Sequence, residues 1–130
     1  MKYILMMMGT KAGYAWYAEW SKAELEAQFA FMHAFNEELR DAGVLVATEG
    51  LGFPDEAKIV RAGSNGEPIT DGVFPEAKEF LAGYWIVDVD GPEQAYELAA
   101  RISAAPGRKD RGNQPIEVRR VMSGPPDESP

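Results

Sequence analysis

The sequence predicts a single α+β domain in which two helices cover one face of an antiparallel sheet. Short apolar runs of strand length recur along the chain, and two longer segments place apolar residues at helical spacing. Glycine and proline mark most of the boundaries between these segments. In chain order the elements are strand, helix, strand, a small hairpin insertion, strand, helix and strand, which is the ferredoxin-like β-α-β-β-α-β arrangement.

The first strand and the first helix follow from an apolar run and a capping motif. Lys2 to Met8 is apolar on both sides, as in a strand that is covered on both faces. Ser21 and Glu24 have the spacing of a capping box, so a helix of about 21 residues is expected to begin there and to end at Gly43. The core-facing stripe of this helix is formed by Leu25, Gln28, Phe29, Met32, Phe35, Asn36 and Leu39.

A second strand and the hairpin insertion come next. Val44 to Thr48 is a short apolar strand, and Gly50-Leu51-Gly52 marks its end or a bulge. Lys58 to Arg61 and Ile69 to Thr70 form a peripheral hairpin, in which Asn65-Gly66 supplies the turn. The hairpin therefore stands between the two β-α-β halves of the fold.

The second half repeats the pattern of the first. Tyr84 to Val89 is the strongest strand in the sequence. Gly91-Pro92 and Glu93 open a second helix, which Pro106-Gly107 closes. Its apolar positions are Ala95, Leu98, Ala99 and Ile102. Ile116 to Met122 alternates as the last strand.

The strands are apolar on both faces, although the two helices cover only one. On the first strand Ile4 and Met6 lie opposite Tyr3 and Leu5. The simplest cover for the second face is another copy of the same sheet, which predicts a face-to-face homodimer with a partly apolar cavity between the sheets. The alternative is that the aromatic loop from Gly9 to Trp20 folds back over its own sheet.

Length, charge and cysteine content exclude several classes of protein. The chain has 130 residues and no cysteine, which excludes disulfide frameworks, thiolate metal sites and thiol nucleophiles. A net charge of −8 opposes binding to nucleic acid or to anionic membranes. No apolar run is long enough to span a bilayer, so we expect a cytoplasmic protein. We expect residues 1–122 to form the domain and the proline-containing residues 123–130 to be a disordered tail.

The segment from Asp71 to Asp90 resembles the signature of the YCII-related family, DGPF subgroup. The matching positions are Asp71, Gly72, Phe74, Glu76, Lys78, Glu79 and Gly83, followed by an aromatic strand. Glu117-Val118-Arg119 matches the last strand of the family. Val73 stands where the subgroup has proline, which removes a rigid φ but leaves the Asp-Gly turn.

The resemblance implies a ferredoxin-like chain that pairs into a dimeric α/β barrel. It also implies two kinds of activity, since similar proteins have been proposed to be small-molecule enzymes with a His–Asp pair, whereas others look like companions of extracytoplasmic-function sigma factors. The family has no common established reaction, so the function depends on the residues of the site itself.

His33 is the candidate acid–base residue because it is the only histidine. It lies beside the apolar stripe of the first helix, one turn before Asn36 and Glu37, either of which can hold the imidazole. We expect Asp71 to reach His33 from the loop before the strongest strand and to form a catalytic pair with it. The alternative is that His33 is a boundary residue that bonds only to solvent.

Five further residues are candidates for substrate binding: Asn36, Glu76, Lys78, Asp88 and Trp16. Asn36 is polar within an apolar stripe, and Asp88 lies on an apolar strand face. Trp16 belongs to an aromatic loop that can close over a flat ligand. The alternatives are structural, because Asp88 can help to cap the second helix, the loop charges can be solvated, and the aromatic loop can form a satellite core.

Together these residues predict a homodimer that binds a small polar or aromatic metabolite between sheet and helix, without cofactor or metal. If His33 and Asp71 act together, the expected chemistry is proton transfer or isomerisation. The alternative is a non-catalytic binding or regulatory module, such as a sigma-factor companion. A closed cavity containing His33 and a carboxylate favours the enzyme, whereas a filled core with His33 exposed favours the module.

Overall fold

Two helices and six strands are present in the residues that the computed structural model describes, which are 1–10, 19–70, 79–107 and 113–122. The helices are α1 (Lys22–Asp41) and α2 (Pro92–Ser103). The strands are β1 (Lys2–Gly9), β2 (Leu45–Gly50), β3 (Val60–Ala62), β4 (Pro68–Thr70), β5 (Phe80–Asp88) and β6 (Ile116–Arg120), with a 3₁₀ turn at Pro54–Glu56. The predicted order of elements is confirmed.

The main sheet has the strand order β2-β5-β1-β6, and all neighbouring strands are antiparallel. β1 lies in the middle, where Leu5 is opposite Trp85 of β5 and Val118 of β6. This order agrees with the predicted ferredoxin-like arrangement, since the strands on either side of each helix are separated by one other strand. Gly50 is the last residue of β2, so the glycine pair there marks a strand end, and the bulge lies instead between Leu45 and Ala47.

The capping box predicted at the start of α1 is present in both directions. The Ser21 hydroxyl accepts a hydrogen bond from the Glu24 N–H at 3.1 Å, and the Glu24 carboxylate accepts one from the Ser21 N–H at 2.9 Å. The helix ends one turn before Val44, and Gly43 has a φ of +71°. Because that left-handed conformation is strained for other residues, glycine is the residue that lets the chain turn into β2.

The core lies between one face of the sheet and both helices. Leu5 and Val87 of the sheet, Phe35 of α1 and Ile102 of α2 are its largest fully buried side chains. Phe29 was predicted to belong to this layer, but it is 59% exposed. It lies about 120° around the helix from Phe35, at the edge of the stripe, and this position turns its ring away from the sheet.

The insertion forms a two-stranded sheet of its own. β3 and β4 pair with Val60 opposite Thr70, Arg61 opposite Ile69 and Ala62 opposite Pro68. All six strand residues are exposed. The turn between them uses Gly66 with a φ of +80°, as expected for the predicted Asn-Gly turn. None of the helices in the described ranges is long and apolar enough to cross a membrane.

Candidate functional site

His33 lies on the exposed side of α1, away from the buried Phe35 and Leu39 of the same helix. Both helical neighbours that were predicted to hold its imidazole are bonded to other groups. Glu37 accepts a hydrogen bond from Arg40 at 2.6 Å, and the Asn36 oxygen accepts one from Trp85. Asp71 lies outside the described residues, so the His33–Asp71 pair stays a prediction.

Asn36 connects α1 to the middle of the sheet. Its side-chain oxygen accepts a 2.8 Å hydrogen bond from the indole N–H of Trp85, whose side chain is buried on β5. The Trp85 ring also meets the Phe35 ring edge-on, with 6.4 Å between the ring centroids. A buried indole N–H without an acceptor is costly, so the polar residue in the apolar stripe satisfies a core donor. The sequence indicated that Asn36 needs a partner, but not that the partner is a tryptophan.

Asp88 is exposed at the end of β5 and is not enclosed by apolar side chains. Its carboxylate accepts a hydrogen bond from the amino group of Met1 at 3.0 Å. The expected capping of α2 is also absent, because the N-cap is Gly91 and forms no side-chain cap. Asp88 is the last residue of β5, which places its carboxylate at the margin of the sheet. A role for Asp88 in substrate binding stays a prediction.

The remaining predicted site residues, Trp16, Glu76 and Lys78, lie outside the described residues. The same holds for the Asp71-Gly72-Val73-Phe74 motif and for the tail at 123–130. Their predicted roles in ligand binding therefore stay predictions.

A charged clamp joins the two helices above the core. The Arg101 guanidinium donates two hydrogen bonds to the Glu38 carboxylate, at 2.5 and 2.9 Å, and lies 4.8 Å from the centroid of the Phe35 ring. The hydrogen bond from Arg101 lowers the pKa of Glu38, and the same bond raises the pKa of Arg101. The clamp fixes α1 relative to α2 on the helix side of the sheet.

An open cavity of about 560 Å³ lies at one end of the sheet, where β1 and β2 end and β5 begins. Most of its lining is apolar, with two glutamates among the lining residues. The lining consists of Met8, Leu51, Gly52, Phe53, Pro54, Glu56, Ala57, Glu79, Phe80 and Leu81. The cavity was not predicted from the sequence, because residues 51–57 have neither helical nor strand periodicity. The available signal was Leu51 and Phe53, two large apolar residues among glycines and a proline.

The wall of the cavity is held by backbone hydrogen bonds. The Leu51 N–H donates to the Ala82 carbonyl at 2.9 Å, which fixes the connection to β5. The 3₁₀ turn closes through bonds from Glu56 to Phe53 and from Ala57 to Pro54. The carbonyl of Met8, another lining residue, accepts a hydrogen bond from the Gln114 side-chain amide. The connection after β2 is therefore held in a defined conformation and forms one wall of the cavity beside the end of the sheet.

Among the described residues, no three His, Asp or Glu side chains are grouped closely enough to hold a metal ion. A scan against known protein families matches residues 1–108 to the YCII-related domain. The chain therefore belongs to the YCII-related family. A search of curated proteins finds no match.

Proposed function

We propose that this YCII-related chain binds a small molecule with an aromatic or compact apolar body, and that the cavity at the end of the sheet holds it. The observation that carries the proposal is the cavity of about 560 Å³, into which the connection after β2 brings Leu51 and Phe53. Pockets of this volume with mainly apolar walls are typical of sites for small ligands. His33 is exposed on α1, which supports a binding module over an enzyme with a buried histidine.

The chemistry of the cavity restricts the ligand. Its apolar walls suit a ring or a short alkyl body, since burying apolar surface is favourable. Glu56 and Glu79 place two carboxylates among the lining residues, and both are exposed. A negative ligand would be repelled there, so the polar end of the ligand is neutral or cationic.

The same proposal includes a homodimer and membership of the DGPF subgroup. The sheet face away from the helices carries Ile4, Met6, Tyr84 and Ile86, all only half-buried. A second copy on this face would bury them, as expected for a dimeric α/β barrel. The subgroup assignment is supported by Asp71, Gly72 and Phe74, and Glu79 of the cavity follows that motif directly in the chain.

Three probes of the same length test the ligand proposal: 3-phenylpropylamine, 3-phenylpropan-1-ol and 3-phenylpropanoate. We expect the amine and the alcohol to shift the amide resonances of Leu51, Phe53 and Leu81 in NMR titrations, and the carboxylate to bind most weakly. Phe53→Ala should weaken binding about tenfold, which is ~1.4 kcal/mol.

Phe29→Ala is the matched control, because Phe29 is 59% exposed and Phe53 is 55% exposed, but Phe29 lies outside the cavity. The proposal is overturned if none of the three probes shifts these resonances at millimolar concentration, or if Phe29→Ala weakens binding as much as Phe53→Ala does.

A further inference from the structure

Two loops of the chain have the same Gly-x-x-x-Glu spacing, and in both the glutamate side chain lies against its glycine. Gly52 precedes Glu56 in the wall of the cavity, and Gly63 precedes Glu67 in the turn of the β3–β4 hairpin. A Cβ atom at either glycine would overlap a carboxylate oxygen of its glutamate. Each carboxylate is therefore folded back over its own loop, in space that a larger residue would occupy.

The two carboxylates differ in what they bind within the chain. Glu67 accepts a hydrogen bond from the Asn65 N–H at 3.1 Å, so its carboxylate closes the hairpin turn. The Glu56 carboxylate accepts no hydrogen bond and forms no ion pair within the described part of the chain. Lys58, the nearest cation in the sequence, and Asp55 are not among the residues that line the cavity. The loop at Gly52 therefore presents to the cavity a carboxylate that the described residues do not use.

Glu56 lies in a mainly apolar wall, next to an aromatic ring. Its N–H donates to the Phe53 carbonyl at 3.0 Å, so the two residues belong to one turn, and both line the cavity. Glu79, the other acidic lining residue, follows Lys78 directly in the chain, whereas no cation is adjacent to Glu56. A carboxylate beside apolar surface attracts a cation more strongly than in bulk water, because less water screens the charges. Of the two glutamates, Glu56 is therefore the better partner for a cationic ligand.

We infer that the Glu56 carboxylate, held over Gly52, binds a cationic group of the ligand, so that the cavity prefers a primary organic amine to the neutral alcohol of the same shape. This inference rests on the proposed function, and it names the charge of the ligand and the residue that selects it. The apolar body of the ligand packs against Phe53, and its ammonium group donates hydrogen bonds to the carboxylate. Because Glu56 is exposed, the expected preference is about fivefold, near the upper end for an exposed ion pair.

NMR titrations of the full-length chain with 3-phenylpropylamine and 3-phenylpropan-1-ol test the preference. The amide resonances of Leu51 and Leu81, which line the cavity, report the binding of each probe. At low salt we expect the amine to bind about fivefold more tightly than the alcohol. High salt should reduce this preference, because it screens the attraction between the ammonium group and the carboxylate.

Two substitutions locate the preference at the Gly52 loop. Glu56→Gln should lower the affinity for the amine to that for the alcohol. Gly52→Ala should also reduce the preference, because the added Cβ displaces the Glu56 carboxylate. Gly52 does not have a left-handed φ, and the atom that must move is the end of a flexible side chain, so alanine fits its backbone.

Glu67→Gln is the matched control, because it removes the same charge from the same spacing outside the cavity. It should leave the preference unchanged, whereas a general attraction to the net charge of −8 would fall equally in both glutamine variants. Three results would each contradict the inference: an equal loss in Glu67→Gln, a full preference in Gly52→Ala, or a preference that Glu79→Gln abolishes and Glu56→Gln retains.

The two probes also separate this inference from the proposed function. If the alcohol binds and the amine has no advantage in the parent chain, the cavity holds an apolar ligand and only the role of Glu56 is wrong. If neither probe shifts the resonances at millimolar concentration, the proposed function is wrong and this inference with it.

Discussion

The two faces of the main sheet are nearly equal in sequence and very different in burial. On β1, Tyr3 and Leu5 face the helices and are buried, while Ile4 and Met6 face the other way and are half-buried. Both pairs are large and apolar, so the hydrophobic pattern alone cannot tell them apart. An apolar residue in a strand indicates that burial of its side chain is favourable. Only the topology shows whether the same chain buries it.

The largest difference between the two faces is expected from truncating one residue on each. Leu5→Ala should lower the free energy of unfolding by about 2–5 kcal/mol, because the side chain is fully buried against both helices. Ile4→Ala should cost about 1 kcal/mol in dilute solution, because its side chain keeps contact with water there. Urea denaturation at low micromolar concentration measures both. Equal losses would show that the open face is already covered within one chain.

The next effect concerns the polar bond that crosses the covered face. Asn36→Leu should destabilise the fold by about 1–3 kcal/mol, because the buried Trp85 N–H loses its acceptor. In a Trp85→Phe background the donor is absent, so Asn36→Leu should cost at least about 1 kcal/mol less. If thermal denaturation gives the same loss in both backgrounds, the hydrogen bond is not the cause, and Asn36 acts through packing or through a ligand.

The predicted His33–Asp71 pair would give the helix side of the sheet a chemical role in addition to packing. If the pair forms, Asp71→Asn should shift the His33 ring resonances, because an amide replaces the carboxylate that accepts the hydrogen bond, with no loss of stability. Glu37→Gln is the control, since Glu37 is bonded to Arg40. Unchanged His33 resonances in Asp71→Asn would contradict the pair and leave the binding module as the function.

The smallest effect is the acid dependence of the clamp between the helices. Because Arg101 lowers the Glu38 pKa from its ordinary value of 4.5, the pair stabilises the fold fully above that value. The contribution is lost as the pH falls through the lowered pKa of the folded state. Glu38→Gln should therefore lose less stability than the parent between about pH 5 and about pH 3 in chemical denaturation. Both side chains are about half exposed, so solvent screens the effect. Glu93→Gln, at the exposed start of α2, should retain the full acid dependence of the parent.

Local patterns predicted the elements well because each one depends on neighbours in the chain. The capping box at Ser21 and Glu24 needs only four consecutive residues, and the Asn65-Gly66 turn needs two. The strand register could not be predicted in this way. It depends on contacts such as Tyr3 with Arg120, whose energy comes from residues far apart in sequence.

The candidate site was harder to predict because it depends on where side chains point at the ends of elements. Asn36 was correctly singled out as a polar residue that needs a partner, but the partner comes from β5. Asp88 alternates with apolar residues in sequence, yet it lies at the strand end, where the environment is solvent and not the sheet face. The cavity at the sheet end depends on a connection, and apolar periodicity gives no signal for residues without regular structure.

The central position of β1 has a consequence for the biosynthesis of the protein. β1 leaves the ribosome before the other strands, but its two neighbours in the sheet are β5 and β6, so one edge of β1 waits for β5 and the other for β6. Until β5 has emerged, this apolar strand has two unpaired edges, and the only sheet that the earlier segments can complete among the described residues is the small hairpin. The high sequence separation of these pairings makes the final step slow for a chain of this size. The main sheet of the nascent chain is therefore completed late, and β1 is the segment that a chaperone would need to shield.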